Sequence, residues 1–390
     1  MKEFNEQALL EESKGLTHGA EMGTDPHAGY VGLDVHKETI AVAVALKGRN
    51  QPRYLGEISN TPKELSKLIE RLSEDGEIYL FCYEAGPCGY GIYRQITASG
   101  HDCEVVAPPE SSRLKTDRRD ALKLSRLLRT GDLRRVWVPG EEQEAMRDLS
   151  RCRGDFKIVQ NKARQQLNAF VLRHGHHWPA GKSRWTKQHM AWLEDLKFVH
   201  PWQQLVLQEY INAVVAGTDR VTQITKTLMD SIPHWSLSVV VDSLVALRGV
   251  DKITAVTLLA ELGDISRFDS PKQLMGFLGL VPNMHNSGST RRLGSITLAG
   301  NSHARRVLVE SAWCYRFPAR QTKHLSRKAE QASTEAQAIA WRAQKRLCGR
   351  YRTLIQGGKI PKVVCVAVAR ELVGFIWDIV CHEMPKVKPA

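Results

Sequence analysis

Four acidic residues stand where carboxylates can do chemistry. Asp34 interrupts an otherwise apolar run, Tyr30-Val-Gly-Leu-Asp34-Val, and Glu84 ends a second run, Ile78 to Glu84, just before Ala-Gly-Pro. Asp117 and Asp120 open Thr116-Asp117-Arg-Arg-Asp120-Ala-Leu-Lys, and their i, i+3 spacing puts both on one face of a helix. Carboxylates gathered within a few ångströms repel one another and raise their own pKa values unless a cation neutralises them. Hard oxygen donors select Mg²⁺, with Mn²⁺ as the alternative. Ions held this way activate a nucleophile at phosphorus and stabilise the departing oxygen. Each residue also has a plainer role: Asp34 in a strand-end turn, Asp117 as a helix cap, Asp120 as a surface partner of Lys123. Only the set points to phosphoryl transfer.

The elements that must position these residues read as alternating strands and helices. Tyr30 to Leu46 is two β-rich runs around the polar patch His36 to Glu38, a hairpin. Pro62 to Leu72 has helical apolar spacing, Glu77 to Glu84 is a buried strand, Gly89 to Ser99 a helix and Cys103 to Ala107 a strand. Residues 30–140 are therefore expected to form an α/β domain, after a tail over 1–29. From Glu141 the apolar residues Met146, Leu149, Cys152, Phe156, Val159, Ala163, Leu167 and Phe170 recur at steps of three and four, one long amphipathic helix. With a second helix over Trp202 to Ile232, residues 141–240 read as a helical hairpin or coiled coil able to pair protomers. Residues 241–390 read as mainly helical. Leu244 to Gly263 resembles a helix-hairpin-helix, a device that offers backbone N–H groups to phosphate. Phe317 to Tyr351 reads as one charged helix, and Val363 to Cys381 as an apolar helix docked on the core.

Fifty-five Lys and Arg against 42 Asp and Glu give a formal charge of +13, a surface suited to polyanions. Between Arg291 and Arg352 alone there are 14 Lys and Arg, a footprint for nucleic acid. No apolar run is long enough to span a bilayer and no signal-peptide core precedes the first strand, so a membrane is not expected and a cytoplasmic, nucleoid-associated protein is. Eight cysteines show no C-x-x-C pair, which points to reduced structural thiols rather than a zinc module. His174, His176 and His177 lie in a loop-like stretch without nearby cysteines, a weak metal pattern.

Taken jointly, Gly32-Leu-Asp34-Val-His-Lys, Tyr83-Glu84-Ala-Gly-Pro-Cys-Gly-Tyr-Gly and Lys115-Thr-Asp117-Arg-Arg-Asp120-Ala resemble the DEDD motifs of transposases of the insertion-sequence-110 family. Downstream, Gly276-Phe-Leu-Gly-Leu-Val-Pro282, Ser287-Gly288, Arg292-Leu-Gly294-Ser-Ile-Thr, Gly300-Asn-Ser-His-Ala-Arg-Arg306 and Ala369 to Trp377 resemble that family's C-terminal transposase domain. The resemblance runs from about residue 30 to 382. It implies an RuvC-like, ribonuclease-H-type first domain whose Asp34, Glu84, Asp117 and Asp120 hold Mg²⁺. It implies a serine, here Ser287, that attacks a DNA phosphate to form a covalent phosphoserine linkage. This sequence departs from the commoner Ser-Ser-Gly-Gly-Lys pattern at Asn286, Ser289 and Thr290, so Ser289 is a rival nucleophile. Lys115, Arg118, Arg291, Arg292, Arg305 and Arg306 are the basic residues of these motifs expected to meet phosphate.

The resemblance further implies a bridge RNA that pairs with donor and target DNA, and homodimers that assemble into homotetramers, one protomer's carboxylates meeting another's serine. Two rival readings stay open on the residues alone: a metal-dependent junction-resolving endonuclease without serine chemistry, and a non-catalytic nucleic-acid-binding protein.

Overall fold

The computed structural model describes residues 25–73, 76–108, 116–287 and 290–387. The chain divides into two compact units, Met1–Val138 and Pro139–Ala390.

In the first unit the strands β1 (Gly29–Val35), β2 (Thr39–Leu46), β3 (Arg53–Ser59), β4 (Tyr79–Glu84) and β5 (Asp102–Val106) form one mixed sheet in the order β3-β2-β1-β4-β5. β1, β2 and β3 pair antiparallel, whereas β4 and β5 run parallel to β1. Strand residues alternate between faces. Val31, Leu33, Phe81 and Tyr83 pack on one face against the helices α1 (Pro62–Leu72) and α2 (Gly91–Ala98). Tyr30, Cys82 and Val106 pack on the other against α3 (Asp117–Thr130) through Leu124 and Leu128. α1 begins where the sequence places it, because the Thr61 hydroxyl accepts the Glu64 N–H and Pro62 fills a position whose N–H would be orphaned. β3 was not expected: it is a half-exposed edge strand, Arg-Tyr-Leu-Gly-Glu-Ile-Ser, without the apolar alternation of its neighbours.

The second unit is mostly helical. α4 (Glu141–Arg173) and α6 (Pro201–Ser231) form an antiparallel pair, since Phe170 meets Tyr210, Gln160 bonds Thr218 and Arg153 bonds Thr225. The far end of the pair is closed by α5 (Lys187–Asp195), with Leu167, Phe170, Leu193, Leu207 and Ile211 in a shared core. His174 and His176 stack edge-on against Phe198, at 5.0 and 5.3 Å between ring centroids, an aromatic packing role.

The helices α7 (Ser238–Val245), α8 (Lys252–Leu262), α9 (Pro271–Phe277), α10 (Ser302–Ala312), α11 (Lys323–Lys328), α12 (Thr334–Gln356) and α13 (Pro361–Val387) build the second core. α13 runs through its centre. Val364, Val368, Leu372, Ile376 and Ile379 are all buried at helical spacing, each worth about 1.5–3 kcal/mol relative to exposure. The expected single helix over 317–351 is instead two, α11 and α12, parted at 329–333 where Ser333 caps α12 by accepting the Ala336 N–H. A two-stranded hairpin, β6 (Pro282–Ser287) and β7 (Thr290–Ile296), interrupts the helices. All eight cysteines are free. Among the described residues no helix is long and apolar enough to cross a membrane.

Candidate active site

Asp34 is the penultimate residue of β1 and shares a face with Gly32, the face that α3 covers. α3 sits unusually close there. A Cβ at Gly32 would lie 2.5 Å from the Ala121 carbonyl oxygen and 2.5 Å from the Ser125 nitrogen, so glycine is what permits the approach. The helix starts at Asp117 because the Thr116 hydroxyl accepts the Arg119 N–H. Asp117 and Asp120 in its first turn also favour the positive end of the helix dipole. Close packing plus this start brings Asp117 to the end of β1.

A third group joins them that sequence reasoning passed over as hairpin polarity. His36 follows β1 in the turn to β2, where its N–H donates to the Thr39 carbonyl at 2.8 Å and its own carbonyl accepts from the Asn60 amide at 2.8 Å. Its Nε2 lies 3.4 Å from an Asp34 oxygen and 3.4 Å from an Asp117 oxygen. These three ligand atoms all lie within 4.8 Å of one another. The available signal was the spacing: in an extended chain residue 36 returns to the face of residue 34. Burial raises the Asp34 carboxyl above its ordinary value. His36 pulls against that, and the charges of Asp117 and Asp120 add to it. Two carboxylate oxygens and an imidazole nitrogen placed together in this way fit a divalent ion, whose charge would oppose the raised Asp34 value.

Glu84 and Asp120 stand outside this close group. Glu84 ends β4, the parallel neighbour of β1, two residues beyond Cys82, whose thiol reaches the α3 carbonyl of Leu124. By alternation Glu84 therefore faces the same side as Asp34, half-buried. Asp120 is near enough to act on Asp34 electrostatically.

Of the expected phosphate contacts, Lys115 lies outside the described residues, and the Arg118 guanidinium sits 5.4 Å from the Tyr54 ring centroid. Arg305 donates to the carbonyls of Leu278 and Ala299, at 2.9 and 2.7 Å, and so ties α10 to the segments flanking the β6–β7 hairpin. Arg306 pairs with Glu310 one turn on. Ser287 is the last residue of β6, in register with Thr290; Arg291 and Arg292 of β7 stand opposite Asn286 and His285. Ser289 lies outside the described residues.

Residues 31–174 match the DEDD-type IS110 transposase model, and residues 242–326 match the model described as the transposase IS116/IS110/IS902 family. A putative transposase, y4qE, of Sinorhizobium fredii is 47% identical over 370 residues, 93% of this chain and 91% of that protein. This chain belongs to the IS110 family of DEDD transposases. The transposase for insertion sequence element IS1533 of Leptospira borgpetersenii is 29% identical over 338 residues, 83% of this chain and 96% of that protein. A pilin gene-inverting protein of Moraxella bovis is 30% identical over 156 residues, covering 34% of this chain and 48% of its own length.

Proposed function

We propose that this transposase cuts and rejoins strands between mobile-element DNA and target DNA, in the cytoplasm at the nucleoid, with a divalent cation on its carboxylates and a serine as nucleophile. The meeting of Asp34, His36 and Asp117 at the end of β1 is the observation that carries the reading. Glu84 on β4 and Asp120 on α3 complete the set, in a domain of RuvC-like, ribonuclease-H type. When bound, Mg²⁺ or Mn²⁺ would polarise a phosphoryl oxygen and stabilise the departing oxygen. The chain's own residues do the rest: Asp34 and Asp117 hold negative charge at the site, and α3 keeps them in place.

In the step assigned to Ser287, its Oγ forms a bond to phosphorus while the bond from phosphorus to one deoxyribose oxygen breaks. The serine proton ends on that oxygen as a free hydroxyl. One phosphodiester bond is exchanged for another, so rejoining needs no external energy: a DNA hydroxyl attacks the phosphoserine and Oγ recovers its proton. Ser287 at the end of a hairpin strand suits a nucleophile that must reach out to a backbone. The Moraxella bovis relative is named for inverting a pilin gene. Inversion requires cut ends to be rejoined, which favours recombination over hydrolysis. The bridge RNA would choose donor and target by base pairing, leaving a protein of charge +13 to read backbone. Protomer pairing through the α4–α6 hairpin, to a dimer and then a tetramer, is supported by its exposed apolar residues Ile158, Val159 and Val215.

The test is a reaction of protein, Mg²⁺, donor and target DNA and RNA transcribed from the element's flank, followed by a search for a protein–DNA adduct that survives denaturation. The reading expects an adduct in the wild type, lost in Ser287→Ala and in Asp34→Ala. An adduct lost only in Ser289→Ala moves the nucleophile. Cleavage that persists in Ser287→Ala but not in Asp34→Ala makes the protein an endonuclease, and binding without cleavage in any variant makes it a non-catalytic nucleic-acid-binding protein.

A further inference from the structure

Within the second unit, a cleft of about 360 Å³ opens between the middle of α4, the start of α8 and α10. Cations crowd it: Arg151, Arg153 and Lys157 from α4, Arg306 from α10, with His303 beside them. Its acids are already committed. Asp251 accepts the Thr254 N–H at 2.7 Å as the cap of α8, Glu261 receives Arg151 at 2.8 Å and Asn301 at 2.6 Å, and Glu310 takes Arg306 at 3.3 Å. Among the described residues, the hydrogen-bond partners of Arg153 and Lys157 are uncharged, the Thr225 hydroxyl at 2.9 Å and the Gln160 amide oxygen at 2.8 Å. Both are half-buried. Burial lowers the Lys157 pKa, and the charges of Arg164 and Arg153 lower it further. Burial likewise lowers that of Arg153, Asp251 opposes the shift and Arg306 adds to it. The cleft therefore holds cations that repel one another in a partly dry place, the arrangement an entering anion relieves.

The floor of the cleft is Gly154, in the middle of a 33-residue helix where glycine is a poor choice. Among the described residues, no atom beyond its chain neighbours and the adjacent backbone of its own helix lies within 4 Å of where its Cβ would be, so packing does not demand glycine there. What it gives is open helix backbone between Arg153 and Lys157. The opposite wall is the start of α8, where the Asp251 carboxylate already caps the helix.

We infer that this cleft takes a phosphodiester group of a nucleic-acid backbone, as a strand-holding site built apart from the carboxylate residues. The inference rests on the recombinase reading for the kind of anion it expects, and on the cleft alone for its location. Single-stranded RNA, single-stranded DNA and duplex DNA share this chemistry.

The test measures fluorescence anisotropy of three labelled oligonucleotides, one of each kind, on the full chain across a range of salt concentrations. Gly154→Glu, which places a carboxylate in the cleft, is expected to weaken binding of at least one oligonucleotide tenfold or more. Lys157→Gln is expected to reduce the slope of log affinity against log salt for that same oligonucleotide by about 0.7–0.9. Gly154→Ala keeps the cleft open and serves as the folding control: affinity within about twofold of wild type and a melting temperature no lower. The oligonucleotide that responds identifies the strand. Wild-type affinity and salt slope for all three in Gly154→Glu and Lys157→Gln would overturn the cleft while leaving recombination intact. Inorganic phosphate that displaces the oligonucleotide at equal phosphate concentration would also overturn it, making the ligand a free anion. A wild-type protein that binds no nucleic acid would sink the recombinase reading together with the cleft.

Discussion

Gly32→Ala tests whether close packing of α3 builds the candidate metal site. The added methyl would stand 2.5 Å from the Ala121 oxygen and the Ser125 nitrogen and 2.9 Å from the Leu124 Cβ. Two of these three atoms are backbone, so no side-chain rotation relieves the clash. Restoring contact near 3.5 Å requires the helix to retreat by about 1 Å. Overpacking of this kind costs about 1–3 kcal/mol, lowering the melting temperature of the first unit by roughly 3–10 °C. The larger effect is on the site, because the retreating helix takes Asp117 and Asp120 with it while Asp34 and His36 stay on the sheet. A displacement of about 1 Å can reduce turnover roughly 100-fold. Mn²⁺ binding followed by electron paramagnetic resonance, beside a melting curve, separates the two effects. The expectation is weaker Mn²⁺ binding in protein still folded at the assay temperature. Wild-type Mn²⁺ affinity accompanied by the drop in melting temperature would refute the claim that this contact positions the site; an unchanged melting temperature would refute the contact itself.

Two further outcomes follow from side chains engaged in the second unit. Arg305→Ala removes donors from the carbonyls of Leu278 and Ala299; a loss of about 1–3 kcal/mol is expected, read by denaturant unfolding, while Arg305→Lys restores only part because one ammonium cannot reproduce the guanidinium fork. Arg151→Ala leaves the buried Glu261 with the Asn301 hydrogen bond but without its arginine and should lower stability by up to about 3 kcal/mol near neutral pH. Burial pushes the Glu261 pKa up, but the hydrogen bonds from Arg151 and Asn301 outweigh it and hold the net value below normal. A depressed folded-state value means the wild-type pair stabilises above the ordinary glutamate range and fades as pH falls through the folded value. The gap between wild type and Arg151→Ala should therefore narrow on acidification below that range; a gap that stays constant across the acid limb would contradict this account.

Much of the fold could be read from periodicity and caps. Thr61 with Pro62 fixes the start of α1, Thr116 fixes that of α3, and the steps of three and four after Glu141 predict α4. Apolar spacing fails where tertiary contact rather than local pattern sets the element. β3 is an edge strand held by pairing to β2, and β6–β7, Pro-Asn-Met-His-Asn-Ser and Thr-Arg-Arg-Leu-Gly-Ser-Ile, shows no apolar alternation for a strand reading to use. The break between α11 and α12 was legible in principle, because Ala336, Ile339, Ala340, Ala343 and Leu347 repeat at helical spacing only after the Ser333 cap. At the site, the pairing of Asp34 with the helix that starts at Asp117 was legible as motif and spacing. His36 was legible only as a spacing of two from Asp34, because its place in the group also depends on a turn pinned by Asn60, the residue that follows β3.

The dependence of the candidate site on α3 also bears on when the proposed activity can appear. Asp34 and His36 leave the ribosome early, but Asp117 arrives more than 80 residues later, and α3 can dock over Gly32 only once the sheet beneath it exists. A nascent chain, or a fragment ended before that helix, holds the carboxylate of Asp34 without its helical counterpart. If the proposed site cuts DNA, the order of synthesis acts as a timer, since Asp34 and Asp117 can come together only after α3 has emerged.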